Sequence, residues 1–293
     1  MISIKEQAYA KINLYLDVLA KREDGFHDVK TVMHTVSLKD EITVSVRPAA
    51  KTKVTLSVTG NSRLPTDSRN LAVKAAELFL SATLIFAEVN IRLNKNIPVS
   101  AGLAGGSTDA AAVLRALNRA FKRPLTEKRL LELASELGSD VPYCLLGGTA
   151  LCLGRGEKIE RLPEKLRLHI VIAIADEYVS TPTAYAELDK LYDDFKTSRT
   201  DRSAECFDSI FSSVTEGTLK STELFNIFEK AIFSTCSAAE SIKGDMLRLG
   251  ATHSLMSGSG PSVYGIFPDR ASCESAIAHL EKQGIRAYYA ATV

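Results

Sequence analysis

The sequence predicts an α+β fold, and three observations carry that prediction. Short strands with period-2 alternation are interleaved with helical stripes of 3.6-residue spacing. The helical stripes carry capping residues where helices should begin and end. Near the C-terminus two strands, 253–256 and 262–267, flank a Ser-Gly-Ser-Gly-Pro turn and read as an antiparallel pair. The length of 293 residues, with 45% hydrophobic and 24% charged, suits one large globular domain or two ordinary ones. That mix excludes a collagen-like, disordered or disulfide-scaffold chain.

Taken in order, residues 7–19 alternate. Ala8, Ala10, Ile12, Leu14, Leu16 and Val18 form an apolar face; Gln7, Tyr9, Lys11, Asn13, Tyr15 and Asp17 form a polar one. Further strands are expected at Ile42-Val44-Val46, Val54-Leu56-Val58 and Val89-Ile91-Leu93. Leu71, Ala75, Leu78 and Phe79 mark a helix with Asn70 at its N-cap. A second helix is expected from Asp109 to Phe121 and a third from Glu127 to Leu137, the latter capped by Thr126 and followed by Gly138. A strand should follow Gly147-Gly148, and the pattern loosens at Gly154-Arg155-Gly156, where we place the boundary between domains 1–158 and 159–293. In the second half we expect a buried strand at 168–175, a partly helical and exposed excursion at 187–205, and one helix from Ala231 to Leu249 stopped by Gly250. After the antiparallel pair come a helix at 271–282 and a strand at 286–291.

Composition excludes several functions. Lys and Arg number 36 against 35 Asp and Glu, so no basic footprint for nucleic acid is expected. The longest apolar stretches, 170–175 and 78–87, fall far short of the ~20 residues a membrane span needs. The first residues hold no signal-peptide core, so a cytoplasmic protein is expected. Cys144, Cys152, Cys206, Cys236 and Cys273 form no Cys-x-x-Cys pair, which argues for reduced thiols over a zinc site or disulfide framework.

The most informative segment is Pro98-Val99-Ser100-Ala101-Gly102-Leu103-Ala104-Gly105-Gly106-Ser107-Thr108, which follows a strand and opens into a helix. Glycine lets backbone approach a ligand closely, and a helix start offers free N–H groups and the positive end of a dipole. Together they make an anion cradle suited to phosphates. The segment is neither of two familiar alternatives: no Lys follows in the Gly-x-x-x-x-Gly-Lys pattern, and the spacing is not Gly-x-Gly-x-x-Gly. Taken alone, Ser107 reads as a helix cap, Lys11 as a cation on a solvated strand face, Asp140 as a cap for the turn that follows it, and Cys144 as core.

These signals combine. Ala8-Tyr9-Ala10-Lys11-Ile12-Asn13-Leu14, the Gly25-Phe26-His27 run, the loop 98–108, Gly138-Ser139-Asp140-Val141-Pro142 and Met256-Ser257-Gly258-Ser259-Gly260-Pro261-Ser262 occur in an order that resembles the GHMP kinases (galactose, homoserine, mevalonate and phosphomevalonate). The resemblance spans nearly the whole chain. There are departures: Ala104 stands where the family loop has Gly, Thr108 where Ser is commoner, and Ile227 in Asn226-Ile227-Phe228-Glu229 where Asp is usual. Alanine fits at 104 only with a negative φ, which is the expectation here.

The resemblance implies a two-domain GHMP kinase fold, with a ribosomal-protein-like α/β N-terminal domain, a ferredoxin-like C-terminal domain and an active site in the cleft between them. It implies ATP as phosphoryl donor, with Mg²⁺ whose protein ligands it leaves open. The branch it points to phosphorylates the 2-hydroxyl of a diphosphocytidyl polyol in non-mevalonate isoprenoid synthesis. A GHMP kinase for another alcohol and a catalytically silent binding protein are the alternatives, and the presence of both Lys11 and Asp140 argues against the second. By resemblance Lys11 and Asp140 are catalytic, residues 98–108 bind ATP, and Asn13, Phe26, His27 and Tyr185 bind substrate. Phe26 and Tyr185 are expected to sandwich the cytosine base while His27 reads its edge. The expected partner is a small-molecule substrate, with no nucleic acid or membrane, for a monomer or weak homodimer.

Overall fold

Alternation carries the chain from its start into β1 (Ile2–Lys21) and, after a turn closed by Arg22 N–H donating to the Phe26 carbonyl at 2.8 Å, into β2 (His27–Pro48). A computed structural model describes residues 1–61, 63–177, 179–192, 202–219 and 224–293. Next come β3 (Lys53–Thr59), α1 (Leu71–Thr83) and β4 (Ala87–Asn94), then α2 (Gly105–Ala120), α3 (Glu127–Leu137) and α4 (Val141–Leu146). The remainder is β5 (Thr149–Gly154), β6 (Lys158–Leu162), β7 (His169–Ile174), α5 (Thr181–Leu191), α6 (Arg202–Glu216), β8 (Phe225–Asn226), α7 (Phe228–Ile232), α8 (Ser237–Arg248), β9 (His253–Met256), β10 (Ser262–Phe267), α9 (Arg270–Lys282) and β11 (Arg286–Ala291). No described helix is long and apolar enough to cross a membrane.

Contacts divide the chain into two units. The first holds Met1–Ala10, Lys39–Val99 and Ala104–Leu146; the second holds Lys11–Leu38, Ser100–Leu103 and Gly147–Val293. In the first unit β4 lies between β2, antiparallel with Ile42 opposite Leu93, and β3, parallel with Val54 opposite Val89. Ala87, Val89, Ile91 and Leu93 are buried and alternate with more exposed residues, as the period-2 reading requires. The Asn70 side chain accepts from the Ala72 N–H and starts α1, and Thr126 accepts from Arg129 N–H and starts α3. α1 packs on α2, and Phe79 stacks on Phe121 at 6.2 Å between ring centroids.

In the second unit β11-β7-β10-β9 form an antiparallel sheet. Numbered 1 to 4 along the chain, β7, β9, β10 and β11 lie across the sheet in the order 4-1-3-2, with helices before β9 and after β10, which is the ferredoxin-like arrangement anticipated. The core joins Val171, Ala173, Val263 and Phe267 to Ile242 and Met246 of α8 and Ala276 and Leu280 of α9. In the same unit β2 pairs with β5, β5 with β6, and β1 runs parallel to β8.

Several expectations are corrected. α2 begins at Gly105, not Asp109, because the apolar stripe starts one turn later than the hydrogen bonding does. The helix foreseen at 231–249 is two helices. Ser234 and Thr235 turn their hydroxyls back onto the carbonyls of Ala231 and Ile232, competing with helix continuation before Cys236. Gly154-Arg155-Gly156 is the turn between β5 and β6. Of the excursion at 187–205, residues 193–201 lie outside the described residues; before them α5 is capped by Ser180, whose side chain accepts from Thr183 N–H, with Pro182 in its first turn. The polar face of β1 is buried as well: Lys11, Asn13, Tyr15 and Asp17 are all at most 4% exposed. The five cysteines are buried.

His34 gives the second unit a pH dependence. It is buried in β2 with Nδ1 2.8 Å from the Thr149 hydroxyl, and its Nε2 has no hydrogen-bond partner among the described residues. Burial, aided by the positive charge of Arg167, pushes its pKa down to about 4. The unfolded chain therefore binds the proton first, near the usual value of about 6.5. The stability contributed by neutral His34 is complete above that value and is lost as pH falls toward about 4. Urea unfolding at steps from pH 7 to 4.5 should show His34→Gln losing less stability over that range than the unmodified chain, by on the order of 2 kcal/mol. Identical pH slopes would show that His34 does not titrate with folding.

Candidate active site

The C-terminal glycine turn and the polar face of β1 meet inside the second unit. Lys11 Nζ donates to Asn13 Oδ1 at 2.7 Å, and the same oxygen accepts from Gly258 N–H at 2.9 Å. Asn13 Nδ2 donates to the Thr31 hydroxyl at 2.8 Å, which donates in turn to the Tyr15 carbonyl at 2.6 Å. The Tyr264 hydroxyl donates to the Asn13 carbonyl at 2.9 Å. Lys11 is thus a buried cation pinned by a buried amide, not a solvated one.

The glycine loop is anchored to the same turn by its middle residues. Ser257 Oγ donates to the Gly102 carbonyl at 3.1 Å, Ser262 Oγ donates to the Ala101 carbonyl, and Lys11 N–H reaches the Leu103 carbonyl at 3.3 Å. The approach leaves no room for side chains. A Cβ on Gly102 would fall 2.0 Å from the Ser257 carbonyl oxygen, and one on Gly258 would fall 2.9 Å from that of Gly102 and 3.2 Å from Lys11 Nζ. Both residues also have φ in the left-handed region, +73° and +58°.

In the first unit, Pro98 and Val99 lead out of the β4 segment, Val99 being exposed, and Ala104 to Thr108 open α2. Ala104 is the N-cap residue, with φ +56°. This corrects the expectation of a negative φ: alanine here sits in the conformation that favours glycine. Ala104 has no side chain to cap the helix, and neither Ser107 nor Thr108 precedes it, so the reading of Ser107 as N-cap fails. The first-turn N–H groups of Gly105, Gly106 and Ser107 receive no side-chain cap from that residue, and Ser107 itself is half-buried.

Asp140 is half-buried in the turn that opens α4, its carbonyl accepting from Cys144 N–H at 3.0 Å. α4 packs on α2. Arg115 of α2 fixes the far end of α4, donating to the carbonyls of Cys144 at 2.9 Å and Leu145 at 3.4 Å. Cys144 is core, as expected.

The residues expected to bind substrate are partly joined, in the second unit. His27 stacks on Tyr185 with centroids 4.5 Å apart, and Tyr185 meets the edge of Phe228 at 4.9 Å. Phe26 is 48% exposed and lies under the Arg155 guanidinium, 3.9 Å from the ring centroid. The stack therefore pairs Tyr185 with His27 rather than with Phe26. Asp189, a residue not singled out from sequence, orients the imidazole: its Oδ1 is 2.8 Å from His27 Nε2 and its Oδ2 2.6 Å from Lys21 Nζ. Burial works against that carboxylate, but the hydrogen bonds from Lys21 and His27 outweigh it and hold its pKa below the usual range.

Asn226 and Glu229 were also unassigned. Asn226 Nδ2 donates to the carbonyls of Met256 and Gly258 at 2.7 and 2.8 Å, and Glu229 Oε1 accepts from Met256 N–H at 2.9 Å. They hold the glycine turn in place. The sequence signal was their place in the Asn226-Ile227-Phe228-Glu229 motif, but only the fold shows what they hold.

Comparison with known proteins agrees with this arrangement. Residues 70–148 match the family described as GHMP kinases N terminal domain, and residues 214–286 match that described as GHMP kinases C terminal. A protein of Caldicellulosiruptor bescii named 4-diphosphocytidyl-2-C-methyl-D-erythritol kinase is 42% identical over 91% of this chain and 90% of its own length. One of the same name from Lachnospira eligens is 39% identical over 97% and 96%. The crystal structure of a 4-(cytidine 5'-diphospho)-2C-methyl-D-erythritol kinase superposes with a TM-score of 0.78 at 31% identity, covering 98% of both chains.

Ala104 yields a prediction with a definite sign. Holding an alanine in the left-handed region costs about 1–2 kcal/mol, whereas glycine's extra freedom in the unfolded chain costs about 0.4–1 kcal/mol. Glycine is also the better N-cap residue. Ala104→Gly should therefore raise stability, by up to about 1 kcal/mol, read as an upward shift of the urea midpoint. A lower midpoint would mean that Ala104 does not hold a positive φ.

Proposed function

Because the chain belongs to the GHMP kinases, we propose that it transfers the γ-phosphoryl group of ATP to the 2-hydroxyl of 4-diphosphocytidyl-2-C-methyl-D-erythritol. The products are ADP and the 2-phosphate, a step of non-mevalonate isoprenoid precursor synthesis. The observation that carries the reading is 42% identity, over 91% of the chain, to a relative bearing that enzyme's name.

Phosphoryl transfer passes through a loose transition state, so the protein contributes chiefly position and charge. In this proposal Asp140 accepts the hydroxyl proton late in the reaction. Lys11, held by Asn13, offsets charge developing on the transferred group. Residues 98–108 receive the ATP phosphates, with the uncapped first turn of α2 as the support for that role. Among the described residues no three His, Cys, Asp or Glu side chains converge as a metal cage. What the loop does offer, backbone N–H groups and the Ser107 hydroxyl, fits Mg²⁺ arriving on the phosphates as part of the substrate. Tyr185, stacked on His27, supports a place for the cytosine ring, with Asn13 and Phe26 completing the substrate side.

A product assay with ATP and a panel of alcohols tests the reaction; turnover only with an alcohol lacking the diphosphocytidyl group would overturn the substrate. Asp140→Asn and Lys11→Ala should each lower kcat by about 10²-fold or more, and the double variant should lose little beyond either single one. Near-normal turnover by folded Asp140→Asn would remove its assigned role. Tyr185→Ala should raise the Kd of the diphosphocytidyl alcohol roughly 5- to 150-fold, the scale of one base–aromatic stack, with little change for ATP. Equal weakening of both ligands would place the base elsewhere.

A further inference from the structure

Three buried charges lie beneath the start of α2, and the proposed reaction gives them no part. Lys95, just past β4, is 7% exposed; Asp40 of β2 is 0% and Asp109 of α2 is 3% exposed. Lys95 Nζ donates to Asp40 Oδ2 at 2.5 Å and to Asp109 Oδ2 at 2.8 Å. The other oxygen of Asp40 accepts from the backbone N–H groups of Asn96 at 2.6 Å and Ile97 at 2.8 Å. One ammonium thus ties β2, the segment leading from β4 to the glycine loop, and α2 just past its first turn. All of these residues belong to the first unit.

The ammonium also lies directly under the loop. A Cβ on Gly105 would fall 2.9 Å from Lys95 Nζ and 3.1 Å from Ile97 Cγ2, so the backbone at 105 rests on those two side chains. The level of that backbone is set by where Lys95 stands, and Lys95 stands where two carboxylates hold it.

With two carboxylates to one ammonium, the cluster would carry a net negative charge if all three ionised. Burial raises the Asp109 pKa to about 8, with Lys95 opposing and Asp40 adding to the rise. The rise works against a second full negative charge beneath a segment suited to phosphate. Oδ1 of Asp109 has no hydrogen-bond partner among the described residues.

We infer that Lys95, Asp40 and Asp109 are positioning residues for the nucleotide: they hold the first turn of α2 where its backbone N–H groups meet the phosphates of ATP. The inference rests on the ATP-binding role proposed for residues 98–108. A cluster that served only stability would shift the urea midpoint and leave both ligands bound alike.

The test is calorimetric titration of four proteins: wild type, Lys95→Met, Asp109→Leu and Asp109→Asn. Each is titrated with Mg²⁺ and a non-hydrolysable ATP analogue, and separately with the diphosphocytidyl alcohol. Lys95→Met and Asp109→Leu should raise the Kd of the analogue about tenfold or more, as displacement of a positioning element does. The alcohol Kd should stay within about twofold, the scatter expected of uncoupled sites. Asp109→Asn keeps an acceptor for Lys95 and should restore analogue binding to near the wild-type value. If Lys95→Met does not fold, the two Asp109 variants decide. A folded Lys95→Met or Asp109→Leu with wild-type analogue affinity, equal losses for both ligands, or Asp109→Asn no better than Asp109→Leu would each overturn the inference. Wild type that binds the alcohol but not the analogue would instead overturn the ATP-binding role of the loop.

Discussion

The carboxamide of Asn13 is 1% exposed, and a buried polar group left without partners costs about 1–3 kcal/mol. Satisfying that one side chain fixes much of the second unit. Its oxygen takes one hydrogen bond from Lys11, two residues away on β1, and one from Gly258, 245 residues away in sequence. Its nitrogen reaches Thr31 on β2, and its own carbonyl takes the Tyr264 hydroxyl from β10. The strand that carries Lys11, the neighbouring strand and the glycine turn are therefore held to one another by bonds that cannot be exchanged for water. Lys11 inherits its position from this arrangement. Moving the turn would strand the Asn13 oxygen, and removing Asn13 would leave a buried ammonium short of an acceptor, a costlier fault than a missing surface ion pair.

The glycine turn is in turn held from its other side. Asn226 donates to the carbonyls of Met256 and Gly258, while Glu229 accepts from the Met256 N–H and pairs with Lys243 at 2.6 Å. Backbone groups in a turn make few bonds with one another, so side chains must complete them. Here two side chains separated by three residues do so from the junction of β8 and α7. The result is a rigid turn whose inner N–H points at the Asn13 oxygen.

Local patterns in the sequence were legible where local physics decides the structure. Asn70, Thr126 and the alternation at Val89, Ile91 and Leu93 behave as their side chains dictate, because capping and burial depend on neighbours a few residues away. The order of the motifs gave the family. What could not be read were features set by distant partners. The polar residues Lys11, Asn13, Tyr15 and Asp17 form a regular strand face, and nothing in their spacing says that this face is buried against the glycine turn and β10. Asp189 lies 162 residues from the histidine it orients. The positive φ of Ala104 contradicts the residue's own preference and is imposed by the chain entering α2. The break between α7 and α8 was in principle legible, since Ser234-Thr235 offers two hydroxyls to the preceding carbonyls, but helical periodicity runs through it and masks it.

The departure at position 227 shows how a site can keep its geometry while a motif residue changes type. Ile227 is 5% exposed and belongs to the core cluster with Leu16, Val18 and Met256. Its backbone N–H donates to the Leu16 carbonyl at 2.9 Å, an interaction that does not depend on the side chain. The residues on either side keep their polar tasks: Asn226 points its amide at the glycine turn and also accepts from Phe228 N–H at 3.0 Å, starting α7. Position 227 is therefore a place where the backbone carries the function and the side chain carries packing. An aliphatic residue there buries apolar surface worth about 1.5–3 kcal/mol, with no charge to compensate. The carboxylate that anchors the turn is supplied by Glu229, so the loss of an acidic residue at 227 leaves the support of Gly258, and through it of Asn13 and Lys11, intact.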